Sequence, residues 1–392
     1  MIFYVVVVNF SVALPSLQKE FGFPAATAIL GYTLLYMGMA AGCWWGGIIS
    51  GSLGSKWTVL VAQILLLGPQ FALFHARSWL MVLGLRIIQG NAIAMFPALA
   101  TMNNLWFPDE QRGLATGIFM GGMCLGAGIS SVLGSVFLPW AGWRLTGVYT
   151  GVIALGVVVS WFVFYRDAPT ASHQRKLSTE QELSHFTPAA GRSSIYTNPL
   201  TWLLVAITIA NFWYIYSVYG VTPSLLYDLG YRAQLVGSLG TVLGSIGVIS
   251  TLLGGVTSDF LGKKVRNPLR GRTISIQIGF LVAIVGALFA PWLASRGIAT
   301  AFLAVIWLGF GIPWTNASIW SLPAELYPER MISKVTGLIA SVGFLSAVFG
   351  PFLSLYLGER INWLAGYALI GGICILGIGA AWRISQVKSR YS

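Results

Sequence analysis

The sequence predicts an all-α membrane protein with twelve transmembrane helices in two six-helix bundles. Of its 392 residues, 56% are hydrophobic and only 9% are charged, whereas about a quarter are charged in a typical soluble domain. Twelve apolar stretches are long enough to cross the hydrocarbon core, which takes about 20 residues. Two polar motifs also recur at equivalent places in the two halves of the chain.

The first apolar stretch carries no charge up to residue 17. It lacks the basic region and small-residue cleavage site of a secretory signal, so we expect a membrane span. The predicted spans cover residues 1–17, 28–50, 58–75, 79–103, 114–138, 145–165, 201–226, 235–258, 273–294, 298–322, 333–357 and 361–383.

The longest polar stretch separates the sixth span from the seventh. It divides the chain into an N-terminal bundle at 1–166, a cytosolic linker at 167–199 and a C-terminal bundle at 200–392. An even number of spans places both termini on the same side of the membrane. If that side is the cytosol, 16 of the 23 Lys and Arg residues lie in inside loops and six in outside loops. This distribution follows the positive-inside rule, so we expect a multi-pass protein of the cell membrane with both termini cytosolic.

The two halves repeat each other. The segment GGIISGSLGSK at 46–56 follows the second span, and GGVTSDFLGKK at 254–264 follows the eighth. In the same way, FPDEQRGLATG at 107–117 corresponds to YPERMISKVTG at 327–337. Such a parallel duplication is typical of secondary carriers in which two bundles rock about a central binding site.

These motifs resemble those of the major facilitator superfamily. The loop motif of that superfamily matches Gly255, Asp259, Gly262, Lys263 and Lys264, and its first-half copy has Gly51 in place of the aspartate. A further run is similar to the anion:cation symporter family: Arg86, Gly90, Phe96, Pro97, Trp106, Phe107, Pro108, Arg112, Gly113 and Gly117. The resemblance implies the major facilitator fold and, as substrates, sugar acids, aromatic acids or other small organic anions.

Two departures concern coupling. Members of the anion:cation family often have Asp-Arg where this chain has Val6 and Val7, and proton-coupled members often have glutamate at the position of Ile93. The sequence therefore leaves open whether a proton or another cation is co-transported. Arg86 and Gln89 also match a motif of drug:proton antiporters, but Ser130 and Ser131 replace the antiporter Gly-Pro. An exporter of hydrophobic or drug-like compounds remains the alternative function.

Arg86 lies about seven residues inside the fourth span. A charge at that depth costs about 2.5 kcal/mol or more, so we expect it to face a cavity or a partner. We predict that it binds the anionic group of a substrate; the alternative is a hydrogen bond to backbone carbonyls or neighbouring helices. The full set of predicted substrate-binding residues is Asn9, Arg86, Gln89, Asn211, Tyr214, Trp314 and Asn316. For each of the other members, packing or hydrogen bonding between helices is the alternative.

Charged residues at the cytosolic ends of the spans predict a gate. The segment at 325–330, Glu-Leu-Tyr-Pro-Glu-Arg, resembles the end of the tenth span of sugar porters. The predicted gating residues are Lys56, Arg112, Asp259, Lys264, Glu325 and Arg330. We expect the weaker contribution from Lys56 and Arg112, because their half lacks the aspartate.

The remaining patterns favour no other class of protein. The three histidines have no metal-ligand spacing, and neither a catalytic nucleophile nor a phosphate-binding loop is evident, so we expect no enzyme, cofactor or metal. The net charge of +12 is distributed over loops, which fits topology better than nucleic-acid binding. The expected partners are an anionic small molecule and the lipid bilayer, and the protein is expected to be a monomer.

Overall fold

A computed structural model describes residues 2–23, 25–108, 111–165 and 194–387. The described residues are almost entirely helical and contain no strand. Most of the predicted linker, including its proposed short helix at 178–182, lies outside the described residues.

The first half contains six helices. They are α1 (Ile2–Phe21), α2 (Ala25–Leu53), α3 (Ser55–Ala72), α4 (Trp79–Asn91), α5 (Met95–Trp106) and α6 (Arg112–Phe164). A 3-10 turn at Ala92–Ala94 joins α4 to α5, so the two form one span. Conversely, α6 contains two spans that meet at Gly142, where φ is 69° and ψ is 171°. This break falls in the predicted gap between 114–138 and 145–165, in a region of φ that favours glycine.

The second half also contains six helices, each a single span. They are α7 (Pro199–Asp228), α8 (Ala233–Val265), α9 (Pro268–Ser295), α10 (Ile298–Leu326), α11 (Glu329–Arg360) and α12 (Trp363–Ser385). Asparagine side chains define three of the starts. Asn198, Asn267 and Asn362 accept hydrogen bonds from backbone N–H groups of the first turn, which satisfies donors that have no partner inside the helix.

Twelve membrane-spanning helices account for the described chain. Eleven segments are long and apolar enough to cross a membrane, and α2 adds a helix of 29 residues without a charged side chain. The predicted fold, an all-α membrane protein with twelve spans, is therefore confirmed.

The two halves pack closely at one end of the bundle. We call this end, which carries Arg112, Asp259 and Glu325, the motif end. There α2 packs on α11, and α6 packs on α8. A Cβ built on Gly337 of α11 would lie 2.8 Å from the Cα of Gly47 in α2. Because real Cβ atoms do not approach other atoms so closely, glycine at 337 is what lets these helices meet.

Candidate substrate site and gate

Arg86 is a buried cation held by groups of its own half. Its side chain is only 1% exposed. Nη1 donates to the carbonyl of Val7 (3.3 Å) and to Oε1 of Gln89 (3.0 Å), and the guanidinium lies 4.2 Å from the ring centroid of Phe10. Within the described residues, Nε and Nη2 are buried without a hydrogen-bond partner. Two nitrogens of the guanidinium, Nε and Nη2, are therefore left to donate to an anion.

A chain of amides orients Gln89 toward Arg86. Nε2 of Gln89 donates to Oε1 of Gln70 (2.8 Å). Nε2 of Gln70 in turn donates to the carbonyl of Gly147 (3.0 Å) and to Oγ1 of Thr150 (3.1 Å). Because the amide nitrogen of Gln89 is used in this way, its oxygen faces the guanidinium. Gln89 thus positions Arg86, and the chain ties α4 to α3 and α6.

The predicted asparagines lie on both sides of the interface between the halves. In α1, Nδ2 of Asn9 is buried, and the described residues offer it no partner. In α7, Nδ2 of Asn211 donates to Oγ1 of Thr315 (2.9 Å) and to Oδ1 of Asn316 (3.1 Å). Its Oδ1 is buried and accepts no hydrogen bond in the described part of the chain. Unsatisfied buried amides are costly, so a polar ligand would stabilise these sites.

Aromatic side chains connect the halves around this region. The rings of Tyr36 and Tyr216 meet edge-on with centroids 4.8 Å apart, and those of Phe96 and Trp320 do so at 4.7 Å. Phe96 follows Arg86 by ten residues on the same span, about 15 Å nearer the motif end. The Phe96–Trp320 contact therefore lies between the level of Arg86 and the motif end.

Tyr214 and Trp314 hydrogen-bond within the second half. The Tyr214 hydroxyl donates to the carbonyl of Leu308 (3.2 Å), and Nε1 of Trp314 donates to Oγ of Ser275 (3.1 Å). Both polar groups therefore already have partners on neighbouring helices. This placement favours the packing alternative for both residues, and we leave them out of the proposed site.

The motif end contains a buried ion-pair cluster, formed by Arg112, Asp259, Arg272 and Glu325. Oε1 of Glu325 in α10 accepts from Nη1 of Arg112 in α6 (3.2 Å) and from Nε of Arg272 in α9 (3.1 Å). Arg272 also approaches Asp259 in α8, with Nη1 and Oδ1 3.6 Å apart. The Arg112–Glu325 pair crosses from one half to the other.

Asp259 makes a second link between the halves. Its Oδ1 accepts from the backbone N–H of Gly113 (3.1 Å), and its Oδ2 accepts from that of Leu114 (2.9 Å). Both N–H groups belong to the first turn of α6, which has no intrahelical acceptor for them. A carboxylate of the second half therefore caps a helix of the first half, where the helix dipole favours negative charge.

Three predicted gating residues do not join this cluster. Nζ of Lys56 lies over the ring of Phe162 in its own half, 4.7 Å from the centroid. Lys264 and Arg330 are exposed, and the described residues provide no ion pair for either one. The partner of Asp259 is instead Arg272, which lies just before the predicted ninth span and was therefore counted as a loop charge. The location of Arg272 in the first turns of an apolar helix is the sequence signal that could have identified it as a buried, paired charge.

The pseudo-equivalent place in the first half has no acid. A Cβ on Gly51, the residue that corresponds to Asp259, would meet only Cε of Lys334, at 4.0 Å. Here the hydroxyls of Ser50 and Ser333 link α2 to α11. Arg112, predicted as part of a weaker first-half gate, is instead paired with the second-half carboxylate.

Two six-helix halves with a buried cation near their interface, closed at one end by an ion pair and a carboxylate cap between the halves, define a secondary transporter. The chain belongs to the Major Facilitator Superfamily, whose sequence profile matches residues 1–351. The predicted family is thus confirmed, and the protein is a transporter, not an enzyme.

Relatives that match most of the chain are transporters of acids by name. A probable sulfoacetate transporter of Cupriavidus necator is 26% identical over 96% of this chain and 89% of its own length. A hexuronate transporter of Bacillus subtilis is 24% identical over 95% of this chain and 89% of its own length. A D-galactonate transporter of Escherichia coli O6:H1 is 25% identical over 96% of this chain and 92% of its own length.

Solved structures show the same fold. The proton:xylose symporter XylE superposes with a TM-score of 0.80 at 16% identity, over 99% of this chain and 93% of XylE. The human organic anion transporter MFSD10 superposes with a TM-score of 0.74 at 14% identity, over 97% of each chain.

Proposed function

We propose that this protein carries small organic anions across the cell membrane by alternating access, and that Arg86 binds their carboxylate or sulfonate. The observation that carries the proposal is that Nε and Nη2 of Arg86 are buried and have no hydrogen-bond partner among the described residues. Planar bidentate recognition of an oxyanion is the chemistry for which a guanidinium is best suited. The acidic substrates in the names of the relatives support the same class of substrate.

The motif end faces the cytosol in this proposal, because the positive-inside rule places the richer set of basic loops there. The close packing of the halves at the motif end then corresponds to an outward-facing state, with the protein acting as a monomer. The ion-pair cluster is the latch of this state, because opening the motif end would separate Arg112 from Glu325 and Asp259 from α6.

Uptake by purified protein in lipid vesicles tests the substrate class. The probes are labelled sulfoacetate, glucuronate, galactonate and gentisate, with xylose as a neutral compound. We expect saturable uptake of at least one acid and none of xylose. Charge-assisted hydrogen bonds contribute about 1.5–3 kcal/mol, so Arg86→Ala should lower uptake about tenfold to a hundredfold. Arg77→Ala, which removes an exposed charge of the same half, should leave uptake unchanged.

Undiminished uptake by correctly folded Arg86→Ala protein would refute the role of Arg86. Transport of a lipophilic cation such as tetraphenylphosphonium, with none of the four acids moved, would overturn the proposed substrate class and favour the drug exporter.

A further inference from the structure

We propose that the protein is an obligate exchanger, which returns across the membrane only when another anion occupies Arg86. This inference rests on the proposed function and concerns what drives the transport. It follows from the distribution of titratable groups and from the charge on the empty carrier.

Within the described residues, no carboxylate lies in the middle of a span. Of the eleven acids in the sequence, Glu20, Asp228, Glu325, Glu329 and Glu359 lie at helix ends, and Asp259 lies in the last two turns of α8. The other five belong to polar stretches between the predicted spans: Asp109, Glu110, Asp167, Glu180 and Glu182. Asp259 and Glu325 sit in the ion-pair cluster at the motif end. Of the three histidines, His75 lies just after α3, and His173 and His185 belong to the polar stretch between the sixth and seventh predicted spans.

In the part of the chain that the structure describes, no acidic side chain contacts Arg86 either. Phe10 and Val7 face it from α1, and Gln89 faces it from its own helix. The nearby side chains of α2 are the phenols of Tyr32 and Tyr36, and neither is a carboxylic acid. Among the described residues, Arg86 forms no ion pair. The empty site therefore carries one uncompensated positive charge.

Because of that charge, the empty carrier and the loaded carrier change between their two orientations at different rates. Alternating access passes through a state in which both ends are closed, and Arg86, which is already only 1% exposed here, is then fully enclosed. A buried charge without a partner is costly, whereas a charge paired with an anion is much less so. Since Arg86 moves with its own half, its amide and carbonyl contacts do not change and cannot supply the missing negative charge. The anion supplies it, and the loaded carrier crosses faster than the empty one.

The consequence is a strict one-for-one cycle. An anion that leaves on one side must be replaced by an anion on that side before the site can return. When the two anions have equal charge, no net charge crosses the membrane. Neither a pH gradient nor a membrane potential then drives the exchange.

The experiment uses the wild-type protein in vesicles and whichever of sulfoacetate, glucuronate, galactonate and gentisate gives the largest saturable uptake. Initial uptake is compared between vesicles preloaded with the same unlabelled acid and vesicles that contain only buffer and potassium chloride. We expect at least a tenfold faster uptake into the preloaded vesicles. An inward proton gradient, a sodium gradient or a valinomycin-induced potential should change that rate less than twofold.

Two results would overturn the proposal. Equal uptake into preloaded and empty vesicles would show a uniporter, and concentrative uptake into empty vesicles driven by protons or sodium would show a symporter. In both cases the proposed function would stand, because an acid is still carried. If none of the four acids is taken up, the proposed function itself fails.

A substitution at Gln89 tests the charge argument directly. Oε1 of Gln89 lies 3.0 Å from Nη1 of Arg86, so Gln89→Glu places a carboxylate on the guanidinium with almost no change of shape. The empty site then becomes neutral. We expect the ratio of exchange to net uptake to fall at least threefold and the apparent KM to rise at least tenfold, since the introduced carboxylate competes with the substrate for Arg86.

Gln63→Glu is the matched control. Gln63 is also a buried glutamine of the first half, but it donates to Sδ of Met95 and has no contact with Arg86. This variant should keep the wild-type ratio and KM. A Gln89→Glu protein that folds and keeps both wild-type values would refute the role of charge compensation. The test of obligate exchange itself uses only the wild-type protein, so it does not depend on whether this variant folds.

Discussion

Replacing Glu325 by glutamine should open the motif end. The Glu325 side chain is 3% exposed and lies between Arg112 and Arg272, whose side chains are 7% and 1% exposed. The substitution removes the carboxylate charge that these two buried guanidinium groups share. Removing one partner of a buried pair costs about 3–5 kcal/mol. We take the lower limit, because glutamine keeps a hydrogen-bond acceptor and Asp259 remains.

This cost applies mainly to the closed arrangement, since the same groups meet water when the motif end opens. About 3 kcal/mol corresponds to roughly a hundredfold change in the equilibrium between the two states, at 1.36 kcal/mol per factor of ten. The substitution should therefore raise the open fraction by up to roughly that factor.

A cysteine introduced at the buried interface can be used to measure how often the motif end opens. Ser333 is 4% exposed and contacts Ser50 of the other half, so Ser333→Cys in a protein with the native cysteines replaced by alanine becomes reactive when the halves part. The labelling rate by a water-soluble maleimide follows the open fraction when opening is fast. Glu325→Gln should increase this rate by between tenfold and a hundredfold. Glu329→Gln, four residues away, should not.

A rise of less than threefold for folded Glu325→Gln protein would refute the argument. Such a result would mean that the ion-pair cluster does not stabilise the closed motif end.

Two further predictions use the same assay. Asp259→Asn removes the charge that caps α6 and that lies 3.6 Å from Arg272, but it keeps one acceptor. Because the Arg112–Glu325 pair across the halves remains, labelling should rise less than in Glu325→Gln. Asp228→Asn at the other end of the bundle should have no effect. Gly337→Ala places a Cβ 2.8 Å from the Cα of Gly47 and should increase labelling and lower uptake at least tenfold. Gly379→Ala, where nothing lies within 4 Å, is its control, and equal uptake by the two variants would contradict the role of the close packing.

Several site residues could be found from the sequence, either because a charge in an apolar span is unfavourable or because the residue belongs to a repeated motif. Arg86 stands out as a charge within an apolar span, where the free-energy cost demands a reason. Asp259 and Glu325 stand out because they lie in or beside motifs shared by the two halves. Gln70 gave no such signal: a neutral amide in an apolar helix is common, and its importance depends on Gln89 and Thr150 lying opposite it.

The number of spans, the duplication of the halves, the lone charge of Arg86 and the absence of a mid-membrane acid were determined by the sequence alone. Each is a property of one segment read against the polarity of a bilayer, which requires about 20 apolar residues per crossing and tolerates few charges.

Only the tertiary structure decided which charges meet. Asp259 pairs with Arg272 and caps a helix of the other half, while Lys264, five residues along the same helix, is exposed. Tyr214 and Trp314 turn toward neighbouring helices for the same reason. The rotation of a helix about its own axis is set by its packing against helices that are distant in sequence, and hydropathy along one segment carries little of that information.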